Sequence, residues 1–271
     1  MERNSIDAMF DKEPNYRIFH FLVTVLVIGL LIWSSSVVNF DNYRGDGWEV
    51  AYNIVKGLFT PSIDMLTDFS KKGLWFLLFE TVCIAIIGTI IGSILALPLA
   101  FLSAPNIVPK WLAFMVNLLI MMIRTVPAIV YGLLFIRVTG PGPFAGVMTM
   151  TFTSIGMLTK LLSEAIMNID DSVVEAFKSM GATTWQTIRF GIISQLSASA
   201  LSTIIYRFDM NIRDATTLGL VGAGGIGAPL MFAINSYRWS QVGAILLGLI
   251  LLVLLVEFLS TRIRRRLAYG E

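Results

Sequence analysis

Arg124 stands directly before Thr125-Val126-Pro127, in the middle of a long apolar run. A guanidinium at membrane depth is costly, and such residues face a bundle interior, a partner or a transport path. Its fork pairs bidentately with phosphate-like oxyanions, so anion handling is the chemistry it offers. Pro127 should break the helix locally and free carbonyls that the arginine could use. A salt bridge from Arg124 to Glu80 or Glu164 is the alternative. Arg207, Asp209, Arg213 and Asp214 crowd the expected outer end of a later span. They either pair with one another or line a charged mouth, where Arg137, beside Gly140-Pro141-Gly142-Pro143, adds a further cation.

Gly222-Ala223-Gly224-Gly225-Ile226-Gly227 satisfies G-x-G-x-x-G. A nucleotide reading needs a preceding strand and an acidic residue about 20 positions on. A membrane span precedes it here, and no carboxylate follows before Glu257, so the dinucleotide reading fails. Glycines at this density let backbone approach backbone or a passing ligand. Successive N–H groups in such a turn can attract an anion, and tight helix packing is the competing reading.

A third feature is a short polar helix at residues 172–181, between two apolar spans. Ser172 and Glu175 have capping-box spacing, and Gly181 stands where a helix ends in a left-handed residue. A helix of about two turns has little stability of its own. Either it is a well-capped connector or a partner protein docks on it.

These residues need a scaffold, and composition says what kind. Of 271 residues, 56% are hydrophobic and only 14% charged, with a mean hydropathy of +0.76. Soluble domains are about a quarter charged. The chain belongs in lipid. A formal net charge of +2 argues against nucleic-acid binding. One cysteine (Cys83) and one histidine (His20) exclude an internal disulfide and argue against a metal site. There is no P-loop, no G-x-S-x-G and no H-E-x-x-H, so no catalytic residues are expected and a membrane-bound enzyme is disfavoured.

Windows of about 20 apolar residues predict about six spans, near 18–38, 74–102, 111–136, 144–166, 187–208 and 241–263. The first run is too long for a signal peptide and lacks its cleavage pattern, so an uncleaved membrane helix is expected. The fourth and fifth are rich in small and hydroxyl residues, as in helices buried within a bundle. Arg262, Arg264, Arg265 and Arg266 put the C-terminus in the cytoplasm, and Arg3, Lys12 and Arg17 place the N-terminus with it. Arg44, Lys56, Lys71 and Lys72 fall outside, balanced by Asp41, Asp46, Glu49, Asp64 and Asp68. The amphipathic stretch Trp48–Phe59 suits the lipid interface, or a docking surface for an external protein.

The residues also resemble a family, the permease subunits of bacterial ABC importers, and within it the phosphonate-importer permeases. The broad mark is Glu175-Ala176-Phe177, then Gly181-Ala182, then Ile192-Ile193-Ser194-Gln195, with Phe177 in place of an alanine and Ser194 in place of a proline. The narrower marks are the runs Tyr206–Gly219 and Leu220–Gly227, Gly142–Gly146 and Ser154–Lys160. The resemblance implies an all-α, polytopic inner-membrane protein with a five-helix type I core plus one N-terminal helix. Residues 1–72 would hold that helix and an external loop, and residues 73–271 the permease core.

It further implies a second copy of the chain, two cytoplasmic ATP-binding subunits carrying ATP and Mg, and an external phosphonate-binding protein. Glu175, Ala176, Phe177, Gly181 and Ala182 would couple to the ATPase. Arg124, Arg137, Arg207 and Arg213, with Gly222, Gly224, Gly225 and Gly227, would line the translocation path. Phosphonate, phosphite, phosphate and a phosphonate-like ester all suit these cations. An ion-coupled secondary carrier for a small anion is the rival. Such carriers show broken helices in both halves, and only one glycine-broken segment is found here.

Overall fold

In the computed structural model of the chain, residues 16–37, 47–70 and 73–269 are described, and they contain helices and no strand. Arg3, Lys12, Asp41, Arg44, Asp46, Lys71 and Lys72, used above for orientation, lie outside the described residues. The chain divides into two units, residues 1–51 and 52–271. In the first, α1 (Arg17–Val37) is long and apolar enough to cross a membrane. Ile18, Phe21, Leu26 and Trp33 are exposed on it, as expected of a helix solvated by lipid. Helix α2 (Gly47–Phe59) runs across the division.

The second unit holds a short α3 (Ile63–Thr67) and the membrane helices α4 (Leu74–Ser103), α5 (Lys110–Thr125), α6 (Ala128–Thr139) and α7 (Pro143–Met167). After the polar helix α8 (Asp171–Ser179), a π-helical turn Thr187–Ile192 leads into α9 (Ile193–Leu220). Helices α10 (Gly227–Asn235) and α11 (Trp239–Tyr269) complete it. Among the described residues five helices qualify as spans, or six if α5 and α6 count as one broken span. The C-terminal part of α2 packs here: a methyl on Gly57 would lie 2.5 Å from the Trp239 carbonyl oxygen.

Packing follows small residues, because apolar surface alone gives no preference for helix over lipid tail. Along α4, Ala85, Gly88, Gly92, Ala96 and Ala100 are buried at near-helical spacing. A methyl on Gly88 would collide with the Met150 Cβ, and one on Gly92 would lie 2.6 Å from the Ser154 Cβ. Two apolar clusters close the ends of the bundle. Leu74, Leu78, Ile226, Leu230 and Ile245 form one, and Ala96, Ala100, Leu158, Leu162, Ile166 and Leu196 the other. A polar layer lies between them.

The weakly hydrophobic fourth span is indeed interior: Thr149, Ser154, Gly156, Thr159 and Ser163 of α7 are all buried. Helix α9 differs from expectation. The hydropathy reading ends it at Phe208 and puts the charged group at its outer end. The helix continues to Leu220, so Arg207, Asp209, Arg213 and Asp214 sit mid-helix. Their charges interrupt the hydropathy window while their partners cancel them in the fold. The third span also differs, breaking by 85° between Thr125 and Ala128. Pro127 forces Val126 into extended backbone (φ −86°, ψ 125°), which ends α5. Tyr131 Oη donates to the Ile123 carbonyl at 3.0 Å, and Thr125 Oγ1 to the Met121 carbonyl at 2.8 Å. Those residues, rather than Arg124, take the carbonyls near the break.

Candidate functional site

Antiparallel connections set the depths of the cations. Helix α7 starts at the glycine-turn end and finishes at α8, and α9 returns from α8 to the glycine turn. Arg124 lies about midway, its stem crossing α7 at Gly156, where a methyl would come within 3.0 Å of its Cγ. A methyl at residue 156 would crowd both this stem and the Ile123 side chain, each at 3.0 Å. The side chain is exposed, and among the described residues no carboxylate pairs with it: Glu164 pairs with Lys160 at 2.9 Å instead. The salt bridge to Glu80 or Glu164 is therefore absent. Arg124 and Lys160 line one cavity of about 370 Å³, together with Asn117, Met121, Thr125 and Met167.

Arg207 has the opposite environment, with 4% exposure. Its Nε donates to Ser154 Oγ at 3.0 Å, Nη2 to Thr153 Oγ1 at 2.9 Å and Nη1 to Met157 Sδ at 3.2 Å. Asp214 Oδ2 lies 3.8 Å from Nη2. One turn on, Asn211 Nδ2 donates to Thr89 Oγ1 at 2.8 Å and to Ser154 Oγ at 2.9 Å. This layer ties α4, α7 and α9 through side chains, as buried polar groups in lipid require. Arg213, half exposed, bridges Asp209 at 2.9 Å and Glu257 of α11 at 3.4 Å. Mutual pairing thus accounts for much of the charged cluster, and Arg207 points into the bundle.

The glycine turn is folded hard against its neighbours. Gly222, Gly224 and Gly225 have φ of +100°, +83° and +71°, which L side chains rarely adopt. A methyl on Gly224 would lie 2.7 Å from the Pro143 Cα, and one on Gly225 2.6 Å from Thr81 Oγ1. Thr81 Oγ1 accepts the Ile226 N–H at 3.0 Å, and the Gly222 carbonyl accepts the Gly142 N–H at 2.9 Å. Gly227 abuts Gly219, whose added methyl would stand 2.7 Å from the Gly227 Cα. The two glycine-rich segments therefore meet at one mouth, with exposed Arg137 in the last turn of α6 beside them.

At the opposite end, α8 is capped differently from the sequence expectation. Asp170 is the N-cap: its carboxylate accepts the Ser172 N–H at 2.9 Å, and the helix begins at Asp171 rather than Ser172. That N–H bond holds the Asp170 carboxyl below its usual value. The other terminus agrees. Gly181 takes φ +77°, its N–H bonds the Lys178 carbonyl at 3.0 Å, and the Ala182 N–H bonds the Phe177 carbonyl at 3.0 Å. Both bonds together form a Schellman closure. Phe177 is half buried, its ring 3.2 Å from where a Gly191 methyl would be, so it joins α8 to the π-helical turn. Glu175, Ala176, Ser179 and Gly181 are exposed, Ala182 half so.

Sequence reasoning passed over Lys160, Asn211 and Asp170 as individual residues. Of these Asp170 had a signal, an Asx residue preceding a helix, hidden by the competing Ser172–Glu175 spacing.

The model of the binding-protein-dependent transport system inner membrane component matches residues 88–269. The putative phosphite transport system permease protein HtxC of Stutzerimonas stutzeri is 32% identical over 248 residues, 90% of this chain and 86% of that protein. The phosphite transport system permease protein PtxC of the same organism is 35% identical over 79% of this chain and 80% of its own. The phosphate-import permease protein PhnE of Mycolicibacterium smegmatis is 34% identical over 78% of this chain, but that match covers 40% of PhnE. Among solved structures, an inward-facing MetNI methionine ABC transporter aligns with TM-score 0.65 and 20% identity, covering 74% of this chain and 99% of that one.

Proposed function

This chain belongs to the binding-protein-dependent transport system inner membrane components, and from that premise we propose that it is the permease of an ATP-driven importer for phosphite, phosphonate or a related small phosphorus oxyanion. The observation that carries the anion half of this reading is Arg124, exposed midway along the bundle with no carboxylate partner among the described residues. An unpaired guanidinium at that depth suits a path for oxyanions. The substrate names of HtxC, PtxC and PhnE point the same way.

In this reading two permeases face each other across a two-fold axis, since one copy encloses too little for a gated path. Both termini lie in the cytoplasm, with the broken α5–α6 pair counted as one span. Two ATP-binding subunits, carrying ATP and Mg, dock on α8 from that side. Exposed Glu175, Ala176, Gly181 and half-buried Ala182 meet the ATPase, while Phe177 passes the movement through Gly191 to the head of α9. An external binding protein delivers the anion to the mouth formed by Arg137 and the Gly222–Gly227 turn. Arg124 then offers positive potential, and its hold stays weak because passage requires release; Arg213, bridged to Asp209 and Glu257, lines the wall with its charge already met. Arg207 holds α9 to α7 and shapes the wall from behind.

The test is reconstitution in liposomes with the cognate ATPase and binding protein. Radiolabelled phosphite, phosphate or methylphosphonate should enter only with ATP and all partners present. Uptake by this chain alone would sink the reading.

A further inference from the structure

Resting on the oxyanion permease reading above, we propose that Lys160 is a second anion-contacting cation of the path, and that its ion pair with Glu164 is a latch opened by the travelling oxyanion. The placement begins at Gly156. The Arg124 stem crosses α7 there. Lys160 is four residues further along the same helix, hence on the same face one turn toward α8. Both cations line one cavity of about 370 Å³. A phosphorus oxyanion presents more oxygens than one guanidinium fork can engage. The three rotatable donors of an ammonium one turn away supply the complement.

The Lys160–Glu164 pair is built to open. It is 40% and 44% exposed, in the range where ion pairs contribute little to stability. Its order, lysine before glutamate, is the less favourable one on a helix. Glu164 also faces a second cavity of about 450 Å³, lined by Asn168, Gln195 and Ser199. An anion reaching Arg124 competes with Glu164 for the ammonium. The displaced carboxylate then has the amides of Asn168 and Gln195 and the Ser199 hydroxyl to accept from. Return of Glu164 to Lys160 takes the ammonium back from the anion and loosens its hold. Lys160 and Glu164 thus supply release as well as capture.

Uptake and ATP hydrolysis are measured with the full complex in liposomes, using radiolabelled phosphite, phosphate and methylphosphonate. Lys160→Gln should lower uptake by about tenfold to a hundredfold, the loss of one charge-assisted contact, with co-purification of the ATPase unchanged. Lys160→Arg should recover most of it. The exchange Lys160→Glu with Glu164→Lys keeps an ion pair at the same spacing and should not recover uptake, whereas a merely structural pair would be restored. Glu164→Gln should lower the half-saturating concentration and the maximal rate together, because the anion is held longer. Wild-type kinetics in Lys160→Gln, in Glu164→Gln or in the exchanged pair overturns the proposal. Should Lys160→Gln fail to assemble, Glu164→Gln decides alone. A wild-type complex that moves none of the three anions under ATP removes the permease reading, and this proposal with it; the two failures are told apart by the wild-type control.

Discussion

A single glycine determines what Arg124 can do. Its stem lies against α7 at residue 156, which has no side chain, and among the described residues its head is left without a carboxylate. Truncation to alanine should reduce anion uptake by about tenfold to a hundredfold, the value of a charge-assisted contact, with assembly intact by co-purification. Lysine at the same position should recover only part, having no fork. Unchanged uptake in Arg124→Ala would return the residue to a structural role. Sequence alone placed Arg124 in a span and raised its anion chemistry. It offers Glu80 or Glu164 as a partner because depth and charge match, and passes over Lys160, which stands one turn before Glu164 in the same predicted span. Local competition of that kind is decided by rotamers and faces, which an apolar window averages away.

Helix α8 shows what short elements reveal and hide. Its existence and its end at Gly181 were legible, because left-handed backbone leaves few residue choices. Its start was misplaced, since Asp170 and Ser172 both have cap chemistry and only geometry chooses between them. Asp170→Ala should speed hydrogen exchange of the first α8 amides and loosen the coupling of ATP hydrolysis to uptake. Protonation should do the same reversibly. The carboxyl is held below its ordinary value of 3.8 by the Ser172 N–H, so its charged form favours the folded helix. That contribution is fully present above the ordinary carboxylate range and is lost as pH falls through the lowered value. Exchange of α8 amides that is indifferent to both changes would deny Asp170 the capping role. The length of α9 was the larger miss. Four charges between Arg207 and Asp214 look like the end of a span until their partners on α7 and α11 are known.

At the scale of the molecule, Ser154 is a junction of three helices, accepting from Arg207 and Asn211 while backing onto Gly92. Ser154→Ala orphans donors in a buried layer and should cost about 1–3 kcal/mol for each one left unpaired, read as a lower thermal midpoint in detergent. A midpoint equal to wild type would mean the donors find other acceptors. The single cysteine, Cys83, makes the assembly question clean. In a Cys83→Ser background, cysteine at exposed Ser179 should cross-link to the ATPase subunit more readily than cysteine at Phe177, which is turned toward Gly191. No cross-link from Ser179 in any nucleotide state argues against docking on α8. The same polar layer constrains how the protein is made. An arginine or aspartate at a helix centre disfavours insertion by about 2.5–3.5 kcal/mol, and α9 carries four such residues. Left to itself in the bilayer it would have little reason to stay. Translation delivers α4 and α7 first, so Thr89, Thr153 and Ser154 are already waiting when Arg207 and Asn211 emerge. Insertion of α9 is therefore expected to depend on α4 and α7 being in place for Arg207 and Asn211, with Glu257 of α11 meeting Arg213 afterwards.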